Sequence, residues 1–372
     1  MSNRSSVSNQ RPRFILIGGF LGAGKSTTVA RLARHYTDQG KRVGIVTNDQ
    51  APDLVDTHVL RQQGFDVGEV AGACFCCSFN ELTDVIAAMG RDVMPDVILA
   101  EPVGSCTDLV ATVIRPLAAE YGMPLDIAPY GVLLKPAHGQ KILGNRPRRG
   151  FSPKAEYIFE KQIEESDFVV INRIDQLSSQ DVEELEQALH DRFPDRPVLR
   201  MSARTGEGFA AYIQYLEQSG QFARNVIDVD YDVYAEGEAE LGWLNAQMTV
   251  RAAQALDLDG LILELVQELQ THIGQTEAEI AHLKAIGMSD GNYAVANAIS
   301  SATASELSLP SRAGTTAADV VVNARVAIDP AELERVVRAC IDRVASRGGF
   351  EATIGTLQSF RPGRPVPTHR LP

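Results

Sequence analysis

The sequence contains no run of 18 consecutive apolar residues, so nothing in it reads as a membrane-crossing helix. Positive charge is in short supply: 35 Lys and Arg against 48 Asp and Glu leave a formal net charge of −13. A general nucleic-acid binder needs a basic surface to neutralise phosphates, and a polybasic membrane anchor needs the same, so neither partner is expected. Cysteine is scarce, with five in 372 residues. Three of the five fall within four positions, which is no disulfide framework and suits a reducing, cytoplasmic compartment. The seven histidines form no long metal-storing tract. The first 13 residues, MSNRSSVSNQRPR, lack the apolar core of a secretory leader, and residues 1–12 are expected to be a disordered tail. There is no short-period repeat.

What is present fits a globular chain of two or three domains, with 44% hydrophobic and 22% charged residues. In the first half, short apolar runs alternate with helical patterns. Phe14–Gly19, Arg42–Asn48, Asp96–Glu101, Tyr130–Leu134, Phe168–Asn172 and Pro197–Ser202 read as strands, and Lys25–Gln39 and Asp181–Arg192 as helices. Continuous β-branched runs between helices imply a parallel sheet covered on both faces, whose ligands bind at the carboxyl ends of the strands. Gly139–Pro153 reads as a basic loop, and Asp228–Glu240, with six carboxylates in thirteen residues, as a solvated linker. The expected division is a nucleotide domain over 13–225, a linker over 226–240 and a smaller α+β domain over 241–372. In that second part, strands start at Leu241, Asn292, Asp319 and Phe350; one helix spans Leu258–Ile286 and another opens at Pro330. The order β-α-β-β-α-β suggests a ferredoxin-like unit.

Gly19-Phe-Leu-Gly22-Ala23-Gly24-Lys25-Ser26 matches the phosphate-loop pattern and sits, as that pattern requires, between a strand and a helix. Its glycines let backbone N–H groups and the helix N-terminus face a phosphate. Lys25 would reach the β- and γ-phosphates, Ser26 would ligate Mg²⁺, and Thr27 follows in the same turn.

The strand at Phe168 ends in Asn172-Arg173-Ile174-Asp175, the N-K-x-D pattern of GTP-binding proteins with Arg in the Lys place. A carboxylate at Asp175 would accept from guanine N1–H and its exocyclic amine; adenine has no donors so arranged. The next strand ends in Ser202-Ala203-Arg204, similar to the loop that supports guanine O6 through backbone N–H. Asp49 after the second strand and Glu101 at the Walker-B position are candidate Mg²⁺ acids with Ser26, and Lys25, Asp49 and Glu101 form the candidate catalytic set. Gly104 in Glu101-Pro-Val-Gly104 would lie near the γ-phosphate. No residue stands out as a general base.

Gly72-Ala-Cys74-Phe-Cys76-Cys77 offers three soft ligands on one loop, suited to Zn²⁺ or Co²⁺. A structural site would want a second pair, and only Cys106 is placed to approach. Three thiolates with an open position suit transfer; buried free thiols and a redox pair are the alternatives. Cys340, in a helix of the second part, reads as core packing.

Together GGFLGAGKST, GACFCC, ILAEPVG, NRID and SARTGEG resemble the CobW/HypB/UreG group of SIMIBI-class P-loop GTPases, and the C-x-C-C loop points to the CobW-like branch. The likeness covers about residues 13–220. It implies GTP hydrolysis coupled to delivery of a transition metal to a client protein, with Cys74, Cys76 and Cys77 as metal ligands, and it allows a homodimer. The chain departs from the group's pattern at Arg173 and at Gln50–Asp53, where an F-G-E run is usual. A GTPase chaperone for a corrinoid or other metal-cofactor enzyme is the alternative. A P-loop small-molecule kinase is a third reading, against which the two guanine-reading loops argue.

Overall fold

The computed structural model describes residues 11–49, 55–91, 93–119, 125–144, 153–276, 278–298, 300–301 and 303–372. Most of the expected N-terminal tail and the Gln50–Asp53 departure lie outside them.

The first half runs β1 (Arg13–Gly19), α1 (Lys25–Asp38), β2 (Val43–Asp49), α2 (Val55–Gln62), β3 (Asp66–Ala71), α3 (Phe79–Met89) and β4 (Val97–Glu101). A π-helical turn, Val110–Ile114, leads into α4 (Arg115–Ala119), followed by β5 (Asp126–Ile127), β6 (Gly131–Leu134), α5 (Pro136–Ile142) and α6 (Pro153–Glu165). Then come β7 (Phe168–Ile171), α7 (Ser179–Arg192), β8 (Val198–Arg200), α8 (Phe209–Leu216) and α9 (Tyr231–Glu238). The sheet order is β3-β2-β4-β1-β6-β7-β8, with β5 beside β1 and every pair parallel.

Side-chain alternation explains the layering. Phe14, Leu16, Ile98, Ala100, Val169 and Ile171 enter one core, with α3, α6 and α7. Their neighbours Ile15, Ile17, Val97, Leu99, Phe168 and Val170 enter the core on the opposite face, with α1 and α8. The continuous apolar strands of the sequence are therefore buried on both sides.

The second half runs β9 (Gly242–Asp257), α10 (Leu258–Gly274), β10 (Ile280–Ser289), β11 (Asn292–Ala298), β12 (Glu306–Leu309), β13 (Gly314–Val326), α11 (Pro330–Gly348) and β14 (Phe350–Phe360). Its antiparallel sheet has the order β12-β11-β10-β13-β9-β14. The four strands β14-β9-β13-β10 reproduce the 4-1-3-2 order of a ferredoxin-like unit, and β11 and β12 extend it beyond β10. α10 and α11 cover one face, burying Leu283, Ala285, Val320, Val322 and Ala324. The other face carries His282, Lys284, Asn323 and Arg325 and packs over the first half, with Val55 joining Ile286, Val295 and Val321.

Two expectations need correction. The helix expected over Leu258–Ile286 stops at Gly274, and β10 fills the rest. The stretch read as a solvated acidic linker contains α9, capped by Asp230 and packed on α6, with Glu238 only 2% exposed. In the basic segment, Gly139–Ile142 closes α5, while residues 145–152 lie outside the described set.

Candidate nucleotide and thiol site

β1 ends at Gly19 and the chain turns through Gly22 and Gly24, both at positive φ (74° and 94°), before α1 begins at Lys25. Only glycine takes these angles without strain. The turn aims the first N–H groups of α1 into a cleft of about 750 Å³. Lys25 Nζ donates to the Gly19 carbonyl at 3.0 Å from a buried position, and burial draws its pKa down. Ala23 lies beneath the turn, while Ser26 and Thr27 line the cleft.

The carboxyl ends of β2 and β4 bring the acids. Ser26 Oγ donates to Glu101 Oε1 at 2.9 Å, and Glu101 Oε2 is buried with no hydrogen-bond partner. Burial, reinforced by the nearby Asp56, pushes Glu101 up to about 7. A hydroxyl and a buried acidic oxygen lacking a donor suit a hard divalent cation. Asp49 lines the same cleft and accepts from Arg325 Nη2 at 2.6 Å.

At the other end of the cleft, Asn172 joins two loops. Its Nδ2 donates to the Ala23 carbonyl at 2.7 Å, and its Oδ1 accepts from the Ala203 N–H at 2.9 Å. Asp175 accepts from Ser202 Oγ at 2.6 Å and from Arg204 at 2.5 Å. Burial pushes its carboxyl up, but Ser202 and Arg204 outweigh that and hold it below the ordinary aspartate range. Arg173 sits at φ 62°, with its Nε buried and without a partner. The structure thus brings Asn172, Arg173, Asp175, Ser202, Ala203 and Arg204 together at one end of the cleft.

The thiol loop follows β3. The Sγ atoms of Cys74, Cys76 and Cys77 all lie within 4.8 Å of one another, with Cys74 and Cys76 buried and Cys77 half-buried. Hydrogen bonding with Cys106, Cys76 and Cys77 draws the Cys74 thiol well below its ordinary value. The same contacts push Cys76 and Cys106 well up, and the hydrogen bond to Cys74 raises Cys77 to about 11. The thiol whose proton leaves most readily sits among three others, a set of sulfur ligands that a soft cation exploits.

Two links tie this loop to the cleft. Asn48, next to Asp49, donates to the Val70 and Ala73 carbonyls at 2.9 and 2.7 Å and accepts from the Phe75 N–H at 2.8 Å. The segment from Glu101 to Cys106 runs from Ser26 to Cys74, and Gly104 lies so close to Leu21 that a Cβ there would meet the Leu21 nitrogen at 3.0 Å.

The CobW/HypB/UreG nucleotide-binding domain model matches residues 13–200. The chain belongs to this family. Among relatives, it is 24% identical over 223 residues to the zinc chaperone CobW of Sinorhizobium sp, covering 53% of this chain and 60% of that one. It is 27% identical over 203 residues to the zinc chaperone CobW of Pseudomonas aeruginosa, covering 44% and 49%. The chain therefore spans less than two thirds of either relative. A solved structure, Zn(II)-bound YjiA GTPase from E. coli, aligns over 89% of this chain and 99% of that one at 12% identity and a TM-score of 0.35. That value adds nothing to what the sheet order already shows.

This CobW/HypB/UreG member also gathers residues that its motifs do not announce. Asp56, on α2, lines the cleft beside Ser26 and pairs with Lys284 at 2.5 Å. Burial pushes it up, but Lys284 outweighs that and holds it at about 2. Arg31 donates to the carbonyls of Ala203 and Arg204, both at 2.7 Å, bracing the loop after β8. Ser105, beside Cys106, hydrogen-bonds Glu238.

The last residues fold back over the thiols. The Val366 N–H donates to Cys77 Sγ at 3.2 Å, the Thr368 N–H to the Cys76 carbonyl at 2.8 Å and Thr368 Oγ1 to the Cys77 carbonyl at 3.0 Å. Arg370 anchors this strap on the buried Asp108 at 2.7 Å. No one-dimensional pattern reports such contacts. Cys340 packs in the second core as expected, although Glu268 and His272 lie near it. Arg343 and Arg347 both pair with Glu268, leaving little negative field there for a cation.

Proposed function

We propose that this protein is a GTP-hydrolysing metallochaperone that couples the state of its nucleotide to the holding of a zinc ion at Cys74, Cys76 and Cys77. The observation that carries this reading is Asn48. It is fixed to the backbone on both sides of Cys74 while its neighbour Asp49 lines the phosphate cleft.

In this reading Gly19, Gly22, Ala23, Gly24, Lys25, Ser26 and Thr27 cradle the phosphates. Asn172, Arg173, Asp175, Ser202, Ala203 and Arg204 read the base. Ser26, Asp49 and Glu101 would hold Mg²⁺, which neutralises charge on the β- and γ-phosphates when bound. Lys25 balances the same charge, and positioned water is the nucleophile. Asp175 selects guanine because its acceptor pair has no match on adenine.

The metal is cargo. Zinc is favoured by the chemistry of three thiols and by the names of the relatives; Co²⁺ satisfies the same donors. An open fourth position lets the ion pass to a client protein. Changing the contents of the cleft would shift the ends of β2 and β4, and the thiol loop is attached to both. The net charge of −13 gives no general attraction to nucleic acid, and among the described residues no helix is long and apolar enough to cross a membrane.

The experiment is phosphate release from GTP and ATP in parallel, with zinc content measured on the same samples. GTP turnover with about one zinc per chain, lost in a Cys74/Cys76/Cys77→Ala variant, supports the reading. Preference for ATP or zinc retained without the thiols overturns it.

A further inference from the structure

The strand that covers the phosphate loop belongs to the second sheet. The Ala281 carbonyl of β10 lies 3.1 Å from where a Cβ on Gly22 would sit, and Lys284 three residues on lines the same cleft as Lys25 and Ser26. Its Nζ is 2.5 Å from Asp56 Oδ1, its side chain is 23% exposed, and Asp56 lines the cleft beside Ser26. An ammonium from the second half of the chain is therefore one carboxylate away from the hydroxyl that, in the proposed function, ligates the cation.

We propose that Lys284 is a specificity-determining residue for the terminal phosphate, passing from Asp56 to the γ-phosphoryl oxygens when a nucleoside triphosphate and its divalent cation occupy the cleft. This rests on the nucleotide reading above. A divalent cation at Asp56 repels the ammonium beside it and weakens its hold on that carboxylate. A cation drawn to Ser26, Asp49, Glu101 and Asp56 competes with Lys284 for its partner, and the terminal phosphate that arrives with the cation supplies a new one. Every charge stays paired through the exchange, so the swap avoids leaving a buried charge alone. A lysine suits it, being a point charge on a flexible stem with three donors. A diphosphate brings no γ-oxygen, so Lys284 has nothing to gain by leaving Asp56.

β10 pairs with both β11 and β13, so the exchange reports triphosphate to the whole second sheet. Arg325 on β13 holds Asp49 from the same face, which gives that sheet a second contact with the acids of the cleft.

The test is titration of the full chain, with Mg²⁺, against fluorescent GTP and GDP analogues, for the wild type, Lys284→Met and Lys284→Arg. The expected result is a loss of about tenfold or more in triphosphate affinity for Lys284→Met, with diphosphate affinity held. Lys284→Arg should restore most of the difference. Equal losses for both nucleotides, or none, would overturn the assignment. Hydrogen exchange of residues 280–289 in the wild type guards against a variant that does not fold. Exchange that differs between the triphosphate and diphosphate complexes supports the proposal, and identical exchange overturns it. A wild type that binds neither analogue overturns the nucleotide reading itself, and this inference with it.

Discussion

Arg325, on a strand of the second sheet, donates from Nη2 to Oδ2 of Asp49 at the end of β2, at 2.6 Å, with side-chain exposures of 3% and 5%. Arg325 also lies 4.2 Å from the Trp243 ring and bonds Asn245 Oδ1 at 2.8 Å. The two halves are thus joined by a buried ion pair whose acid is a candidate cation ligand.

Removing one partner of such a pair leaves a buried charge uncompensated. Arg325→Ala is expected to cost about 3–5 kcal/mol, and Arg325→Met with Asp49→Asn markedly less than the sum of the two single changes. Urea unfolding of the four proteins measures this. A loss under about 1 kcal/mol for Arg325→Ala would mean that the pair does not hold the halves together.

The thiol trio makes a sharp distinction among the five cysteines. Cys76→Ala is expected to weaken zinc binding by about a hundredfold, while Cys340→Ala, in the second core, leaves it unchanged. Competition with a chromophoric chelator reads both. The reverse ranking would move the metal to the helix face of Glu268 and His272.

The strap over the thiols is held at one end by Arg370 on Asp108, which also accepts from the Tyr231 hydroxyl at 2.7 Å. Arg370→Ala is expected to loosen Val366 and Thr368 and to speed zinc extraction by a chelator about threefold or more, because local opening controls access to a buried ion. Extraction at the wild-type rate would separate the strap from metal access.

Lys135 gives a pH signature. It is 2% exposed, hydrogen-bonded to His138 at 3.1 Å, and burial draws its pKa down from 10.5 to about 7. Between about 7 and 10.5 the unfolded chain holds a proton that the folded chain has released, so this group's contribution to stability rises with pH across that window. Below about 7 both states are charged and the burial cost is present in full. Lys135→Met is therefore expected to gain most over the wild type at pH 6.5 and progressively less toward pH 10. Denaturation midpoints at several pH values check this, and a constant difference would contradict it.

The first half was legible because its strands are buried on both faces and its chemistry lies just after them. Gly19–Ser26 and Asn172–Asp175 sit where apolar runs end, whereas Cys74–Cys77 follow β3, whose polar, half-exposed Asp66–Ala71 gave no strand signal and left the cysteine spacing as the clue. The second half misled at Leu258–Ile286 because Leu283 and Ile286 continue a helical spacing past Gly274. In the structure those two residues point to opposite faces of β10. Glu238 looked solvated because charge runs normally are; its burial comes from α9 packing on α6. Lys284, Arg325 and the 366–370 strap meet the site only through pairing of distant segments, which no local pattern encodes.

The most direct measurement is a zinc titration of the full-length protein with GTP and Mg²⁺, with GDP and Mg²⁺, and without nucleotide, paired with GTP titrations with and without zinc. The account expects the zinc affinity to change between GTP and no nucleotide, and the GTP affinity to change by the same factor when zinc is bound. Zinc affinities identical under all three conditions would contradict it.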